Sequence, residues 1–135
     1  MTSIPIHSLG KEERLKSRKQ IDSLFESGKK ITVFPFRLMY QRQGDGFDLK
    51  AGFTVSSRNF PRAVDRNRIK RLTREAYRLQ KLPLREVLLK NKQRVHLFFI
   101  YTGRDIPDSV QVNKSILLLL EKLVNQFNEG NSPNT

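Results

Sequence analysis

Cysteine is absent from the 135-residue chain, which excludes disulfide cross-links, zinc–thiolate sites and a thiol nucleophile. Histidine is almost absent too. His7 and His96 stand far apart, and neither has an evident acid–base partner in the sequence. No stretch approaches the ~20 apolar residues that a membrane-spanning helix needs. Met1–Gly10 lacks a basic region followed by a long apolar segment, so a secretory signal is not expected and a cytoplasmic location is. Negative charge is also scarce: 13 Asp and Glu stand against 26 Lys and Arg, a formal net charge of +13. A small domain with that excess repels itself, so a polyanionic partner is expected, nucleic acid first and an anionic membrane surface second.

The positive charge is not spread evenly. Residues 58–78 hold eight basic side chains against two acidic ones, whereas residues 105–135 hold two against four. Around this basic centre the apolar pattern changes period. Leu15, Ile21, Leu24 and Phe25, followed by Gly28, predict a helix over Leu15 to Phe25. Phe34 to Arg42 puts Phe36, Leu38 and Tyr40 on one face of a strand. Gly44-Asp45-Gly46 reads as a turn and Leu49 to Ser56 as a second strand, together a hairpin. Val95 to Tyr101 is a continuous apolar run suited to a strand covered on both faces, and Val112 to Phe127 repeats like a helix. The expected class is therefore α+β, a compact α/β sandwich with about four strands and three helices. Residues 11–128 make one domain, with flexible segments at 1–10 and 129–135.

The stretch from Asn59-Phe60-Pro61 onward reads as a helix entrance followed by an amphipathic helix. At about 100° per residue, Ile69, Leu72, Ala76 and Leu79 share one side. Asn67, Lys70, Arg71, Arg74 and Arg78 share the other, with Arg66 and Arg68 on the flanks. A solvated charged face is normally laced with carboxylates three or four residues away. This one looks empty of them, with Glu75 off the face and Asp65 near the core side. Unpaired like charges at that spacing weaken a helix, so a partner should offset the repulsion. Arginine in place of lysine favours bidentate contacts to phosphate.

The run Ala63-Val64-Asp65-Arg66-Asn67-Arg68-Ile69-Lys70-Arg71-Leu72-Thr73-Arg74-Glu75 resembles the arginine-rich signature of the bacterial ribonuclease P protein component. Leu49-Lys50-Ala51-Gly52-Phe53-Thr54-Val55-Ser56 is similar to the strand that leads into that signature, and Arg14 through Gly28 to the family's first helix. The link Ser57-Arg58-Asn59-Phe60-Pro61-Arg62 departs from the family pattern, being one residue longer and without glycine.

The resemblance implies the small subunit of a ribonucleoprotein that removes the 5′ leader of precursor tRNA. Catalysis then belongs to the RNA subunit and its magnesium ions, with no catalytic residue on this chain. It also implies a left-handed β-α-β crossover. Two surfaces are expected. Arg62, Arg66, Asn67, Arg68, Lys70, Arg71, Arg74 and Arg78 would meet the ribonuclease P RNA. A cleft between the first helix and the sheet would take the single-stranded leader, with Lys16, Phe25, Phe36, Arg37, Tyr40 and Phe53 as candidates, each aromatic being equally at home in a core. Neither DNA nor a membrane is an expected partner.

Other readings remain open on the residues alone. A structural RNA-binding protein of ribosomal type would share the charge and the build. A metal-dependent nuclease could use the pairs Asp45/Asp48 and Asp105/Asp108, although each pair adjoins turn residues where Asp is common.

Overall fold

The computed structural model describes residues 9–128. The expected flexible segments lie outside this range, apart from Leu9 and Gly10. A 3₁₀ turn (Lys11–Glu13) is followed by α1 (Arg18–Ser27), β1 (Lys29–Val33), β2 (Phe36–Asp45) and β3 (Asp48–Val55). Then come α2 (Ala63–Gln80), α3 (Leu82–Lys90), β4 (Gln93–Tyr101) and α4 (Ser109–Asn128). The strands form one mixed sheet in the order β1-β2-β4-β3. β2 runs antiparallel to both β1 and β4, while β3 runs parallel to β4.

The α+β class and the number of strands agree with expectation, although the apolar pattern locates no strand at β1, and the described residues hold four α-helices rather than three. The additional one is α3. Pro83 cannot donate a backbone hydrogen bond, so it ends α2 and then sits in the first turn of α3, where no donor is required. Leu84 and Leu88 recur at helical spacing and are fully buried.

The expected hairpin does not form, because β4 lies between the second and third strands. Val95, Leu97 and Phe99 are buried on one face of β4, and His96 and Phe98 on the other, so β4 belongs at the centre of the sheet. Gly44 and Asp45 extend β2 beyond a bulge at Arg42/Gly44, and only Gly46 and Phe47 link it to β3. That link crosses the end of one strand, about 9.6 Å, within the roughly 11 Å reach of three Cα steps. Gly44 and Gly46 adopt φ of 122° and 94°, which other residues rarely do.

The sheet separates two apolar layers. Its larger core packs Phe36, Leu38, Tyr40, Val95, Leu97 and Phe99 against α2, α3 and α4. On the opposite face a smaller cluster of Leu15, Leu24, Met39 and Phe98 lies under α1, with Ile21 and Ile100 beside it. Leu15 stands before α1 rather than in it, because its N–H donates to Ala51 O at 2.9 Å along the free edge of β3. Ser17 then caps α1 by accepting from Gln20 N at 3.3 Å. Leu9 is itself buried in the larger core.

Candidate nucleic-acid interface

α2 starts later than the sequence suggests, at Ala63 with Arg62 as its cap residue. Asn59 does not cap it. Its side-chain amide donates to Gly103 O at 3.2 Å, and Phe60 is buried against Tyr101 with ring centroids 6.0 Å apart. These contacts and the Phe60 N–H to Ser56 O bond at 3.1 Å fix the path of the link into α2.

The buried stripe of α2 is Ile69, Thr73, Ala76 and Tyr77, rotated from the expected one. Leu72 is only half-buried and Leu79 is exposed. Two polar-tipped residues cause the rotation. Thr73 satisfies its hydroxyl within the helix by donating to Ile69 O at 2.8 Å, and Tyr77 lays its ring against Phe53 and Phe99. An apolar count overlooks both.

Rotation redistributes the cations. Asn67, Arg68 and Arg71 are exposed, Lys70 and Arg74 lie at the margin, and all five lack a hydrogen bond or salt bridge among the described residues. The other three expected contacts are engaged within the fold. Arg66 Nη1 donates to Phe60 O and Pro61 O at 2.9 and 2.8 Å, bracing the link. Arg62 faces Asp65 at 3.8 Å. Arg78 pairs with Glu75, which therefore stands beside the cationic face rather than away from it. The Arg78 hydrogen bond holds the Glu75 carboxyl below its usual range.

A second basic surface follows from the opposite face of the sheet. Side chains alternate along strands, so Arg37, Met39 and Gln41 of β2 share this face with His96, Phe98 and Ile100 of β4 and with Lys50, Gly52 and Thr54 of β3. A Cβ on Gly52 would lie 2.6 Å from the Phe98 ring, so only glycine lets that ring lie across β3. Phe25 on α1 meets Phe98 edge-on, centroids 5.6 Å apart, and remains half exposed.

Three of the six expected cleft residues are on the wrong side of the sheet. Phe36, Tyr40 and Phe53 face α2 and α4, and the first two are almost completely buried in the larger core. The period that put Phe36, Leu38 and Tyr40 on one face already separates them from Arg37. Lys16, Phe25 and Arg37 are exposed on or beside the α1 side. Phe98, Ile100, Lys50 and Thr54 share the α1-side face with Arg37 and were not among the residues expected there. Their signal was the alternation itself, read from the residues between the core positions.

His96 is the electrostatic peculiarity of this floor. Among the described residues its buried ring nitrogens have no hydrogen-bond partner, and Nε2 is 3.7 Å from Asp48 Oδ2, too long for a hydrogen bond. Burial lowers its pKa from 6.5, and the Asp48 charge opposes that only in part. Asp48 also approaches Arg94 at 3.9 Å. Asp108 Oδ1 accepts from Gln111 N at 2.8 Å in the first turn of α4, and Asp105 O accepts from the Tyr101 hydroxyl at 2.6 Å. The carboxylates of Asp48 and Asp108 therefore have partners within the fold, whereas Asp105 is engaged through its backbone carbonyl. Among the described residues no three His, Cys, Asp or Glu side chains come together to hold a metal ion.

Comparison with known proteins gives the family and the fold. Residues 9–124 match the family model described as Ribonuclease P. The ribonuclease P protein component of Porphyromonas gingivalis is 35% identical over 137 residues, spanning 100% of this chain and 96% of the relative. That of Chlorobaculum tepidum is 33% identical, spanning 87% and 84%. The fold resembles the solved RNase P proteins of Staphylococcus aureus (TM-score 0.64, 22% identity, 85% of this chain and 100% of that one) and Thermotoga maritima (0.63, 24%, 82% and 96%). The chain belongs to the ribonuclease P protein family.

Proposed function

We propose that this chain uses the exposed face of α2 to bind the ribonuclease P RNA and the cleft between α1 and the sheet to bind the 5′ leader of precursor tRNA. Membership of the family makes it the protein subunit of an endoribonuclease that matures tRNA 5′ ends, with the RNA subunit as catalyst. The observation that carries the proposal is the set of five α2 side chains, Asn67, Arg68, Lys70, Arg71 and Arg74, with no hydrogen bond or salt bridge among the described residues. Four cations three or four residues apart cost helix stability when alone, and phosphates offset that repulsion. Asn67 adds a directed donor and acceptor at the entry of this face. Arg62 and Arg78 flank it and can exchange their intramolecular carboxylates for phosphate, while Arg66 holds the link.

The cleft suits a single strand for a different reason. Phe25 offers an exposed ring edge-on to Phe98, and Arg37 and Lys50 share the sheet face of Phe98, with Lys16 beside the β3 edge. Bases stack on aromatic faces while the backbone follows the cations. The chain's part in catalysis is to hold RNA and substrate together and to neutralise phosphates. Magnesium on the RNA would supply the activated water and stabilise the leaving oxygen. The β3–α2–α3–β4 crossover would be left-handed, as the family resemblance implies, and the holoenzyme cytoplasmic. No described helix is long and apolar enough to cross a membrane.

The test compares precursor tRNA with and without a leader, in holoenzymes carrying Arg71→Ala or Arg37→Ala. Arg71→Ala should weaken RNA-subunit binding, and Arg37→Ala should weaken only leader-bearing substrate. Loss of RNA-subunit binding in Arg37→Ala but not in Arg71→Ala would reverse the assignment of the two surfaces.

A further inference from the structure

Lys81 closes α2 and is only 2% exposed, yet it carries a charge. Its ammonium lies 2.5 Å from Glu13 Oε1, across 68 residues of sequence. Lys81 falls one helical turn after the buried Tyr77, so the ion pair sits under the inner face of the helix rather than on its arginine face. The second carboxylate oxygen of Glu13 accepts from Gly10 N at 3.1 Å and closes the 3₁₀ turn. Burial and the Glu13 charge push the Tyr77 hydroxyl far above its ordinary pKa. Two residues beyond Glu13, the Leu15 N–H bonds to Ala51 O and the Leu15 side chain enters the cluster beneath α1. Arg14 and Lys16, exposed on either side of Leu15, are thereby held on the free edge of β3 beside the cleft floor.

We propose that Glu13 and Lys81 are positioning residues for leader binding: their ion pair ties the segment carrying Arg14 and Lys16 to the end of the RNA-binding helix. The inference rests on the cleft reading above and adds to it a physical link between the two RNA surfaces. Stability alone gives a weak reason for such a pair, since the buried Lys81 ammonium is costly to desolvate and an apolar side chain often serves as well. What a directed ion pair supplies is register. It fixes the Lys11–Glu13 turn, which has no buried residue of its own, in one place relative to α2.

The experiment uses the complete chain, free and in the reconstituted holoenzyme, with Lys81→Met, Glu13→Gln and the double variant. Lys81→Met keeps the stem volume and leaves Glu13, at the surface, able to reach water. Free protein is followed by amide exchange at Leu15, and the holoenzyme by kcat, KM and RNA-subunit affinity on precursor with a long leader. Lys81→Met should speed Leu15 exchange by about tenfold and raise KM about fivefold, with kcat and RNA-subunit affinity unchanged. The double variant should match Lys81→Met alone, because Glu13→Gln keeps an oxygen that can accept from Gly10 N and its effect on the segment runs through the ion pair. Unchanged Leu15 exchange, additive effects, or a fall in kcat or RNA-subunit affinity along with KM would each overturn the proposal. Glu13→Gln, at a half-exposed position, provides the same readouts if Lys81→Met does not fold. Lys16→Ala separates the two levels of inference. If it raises KM while Lys81→Met does not, the link fails and the cleft reading stands. If neither does, the cleft reading fails as well.

Discussion

Arg71 and Arg66 lie five residues apart in the same basic helix, and the structure gives them opposite behaviour under the same substitution. Arg71 is exposed and makes no hydrogen bond or salt bridge among the described residues. Its helical neighbours at three residues are Arg68 and Arg74, two repulsions of about 0.2–0.5 kcal/mol each, and Glu75 at four residues is one attraction of similar size. Arg71→Ala therefore leaves stability unchanged or raises it by a few tenths of a kcal/mol, helped by the helix propensity of alanine. RNA binding responds differently. With one phosphate fewer neutralised, the slope of log K against log salt falls by about 0.7–0.9, so the wild-type advantage shrinks about threefold between 50 and 200 mM salt. Arg66→Ala removes two charge-assisted bonds to Phe60 O and Pro61 O. It should cost about 1.5–3 kcal/mol of stability and leave the salt slope within error of wild type. Thermal unfolding together with salt-titrated binding of the RNA subunit measures both quantities. If Arg66→Ala lowered the slope by a full unit without destabilising the fold, or Arg71→Ala destabilised it without touching the slope, the partition of α2 into anchor and RNA face would be wrong.

Other expectations follow from the same geometry. Phe36→Ala, in the larger core, should cost about 3–5 kcal/mol, whereas Phe25→Ala, half exposed, should cost less than about 1 kcal/mol and selectively weaken leader-bearing substrate. Denaturant melts and leader-dependent KM values separate the two. Gly52→Val forces the Phe98 ring off β3 and should destabilise by more than about 2 kcal/mol, with Phe25 losing its edge-on partner; an unchanged melt would show that the ring moves freely. The His96 pKa is lowered on folding, so the unfolded chain takes up its proton first. Its contribution is complete above pH 6.5 and is lost as pH falls through 6.5 toward the lower folded value, at up to about 1.4 kcal/mol per unit. Unfolding between pH 5 and 7.5 should show that slope in wild type and lose it in His96→Gln. Asp45→Asn and Asp105→Asn should leave holoenzyme cleavage at saturating magnesium within about twofold of wild type; abolition of cleavage would put the chemistry on the protein.

The identity of the chain was legible in thirty residues, because a backbone-determined feature and a chemical one coincide there. The arginine run needs a helix with one apolar stripe, and Ile69 and Ala76 supplied it. The exact stripe was not legible, since Thr73 and Tyr77 bury polar tips by bonding and stacking that no apolar count registers. The hairpin failed for a topological reason. Gly44-Asp45-Gly46 has turn chemistry, but whether a turn pairs its flanking strands or lets a third strand between them depends on β4, fifty residues later. The continuous apolar run of β4 was the available clue to its central place. The cleft aromatics failed because residue type was weighed above strand parity. Phe36 and Tyr40 share a face with Leu38, which belongs to a core, and the residues on the α1 side of the sheet are the less conspicuous ones between them. Neither the Glu13–Lys81 pair nor the burial of His96 beside Asp48 leaves any trace in local sequence, because both depend on tertiary proximity.

This chain assists a catalytic RNA and does not itself cut. The most direct measurement mixes it with a bacterial ribonuclease P RNA and follows 5′ cleavage of a precursor tRNA at physiological magnesium, beside RNA alone and protein alone. Cleavage in the mixture only, at the mature 5′ end, is the predicted result. Cleavage by the protein alone, or none in the mixture when a cognate holoenzyme is active, would contradict it.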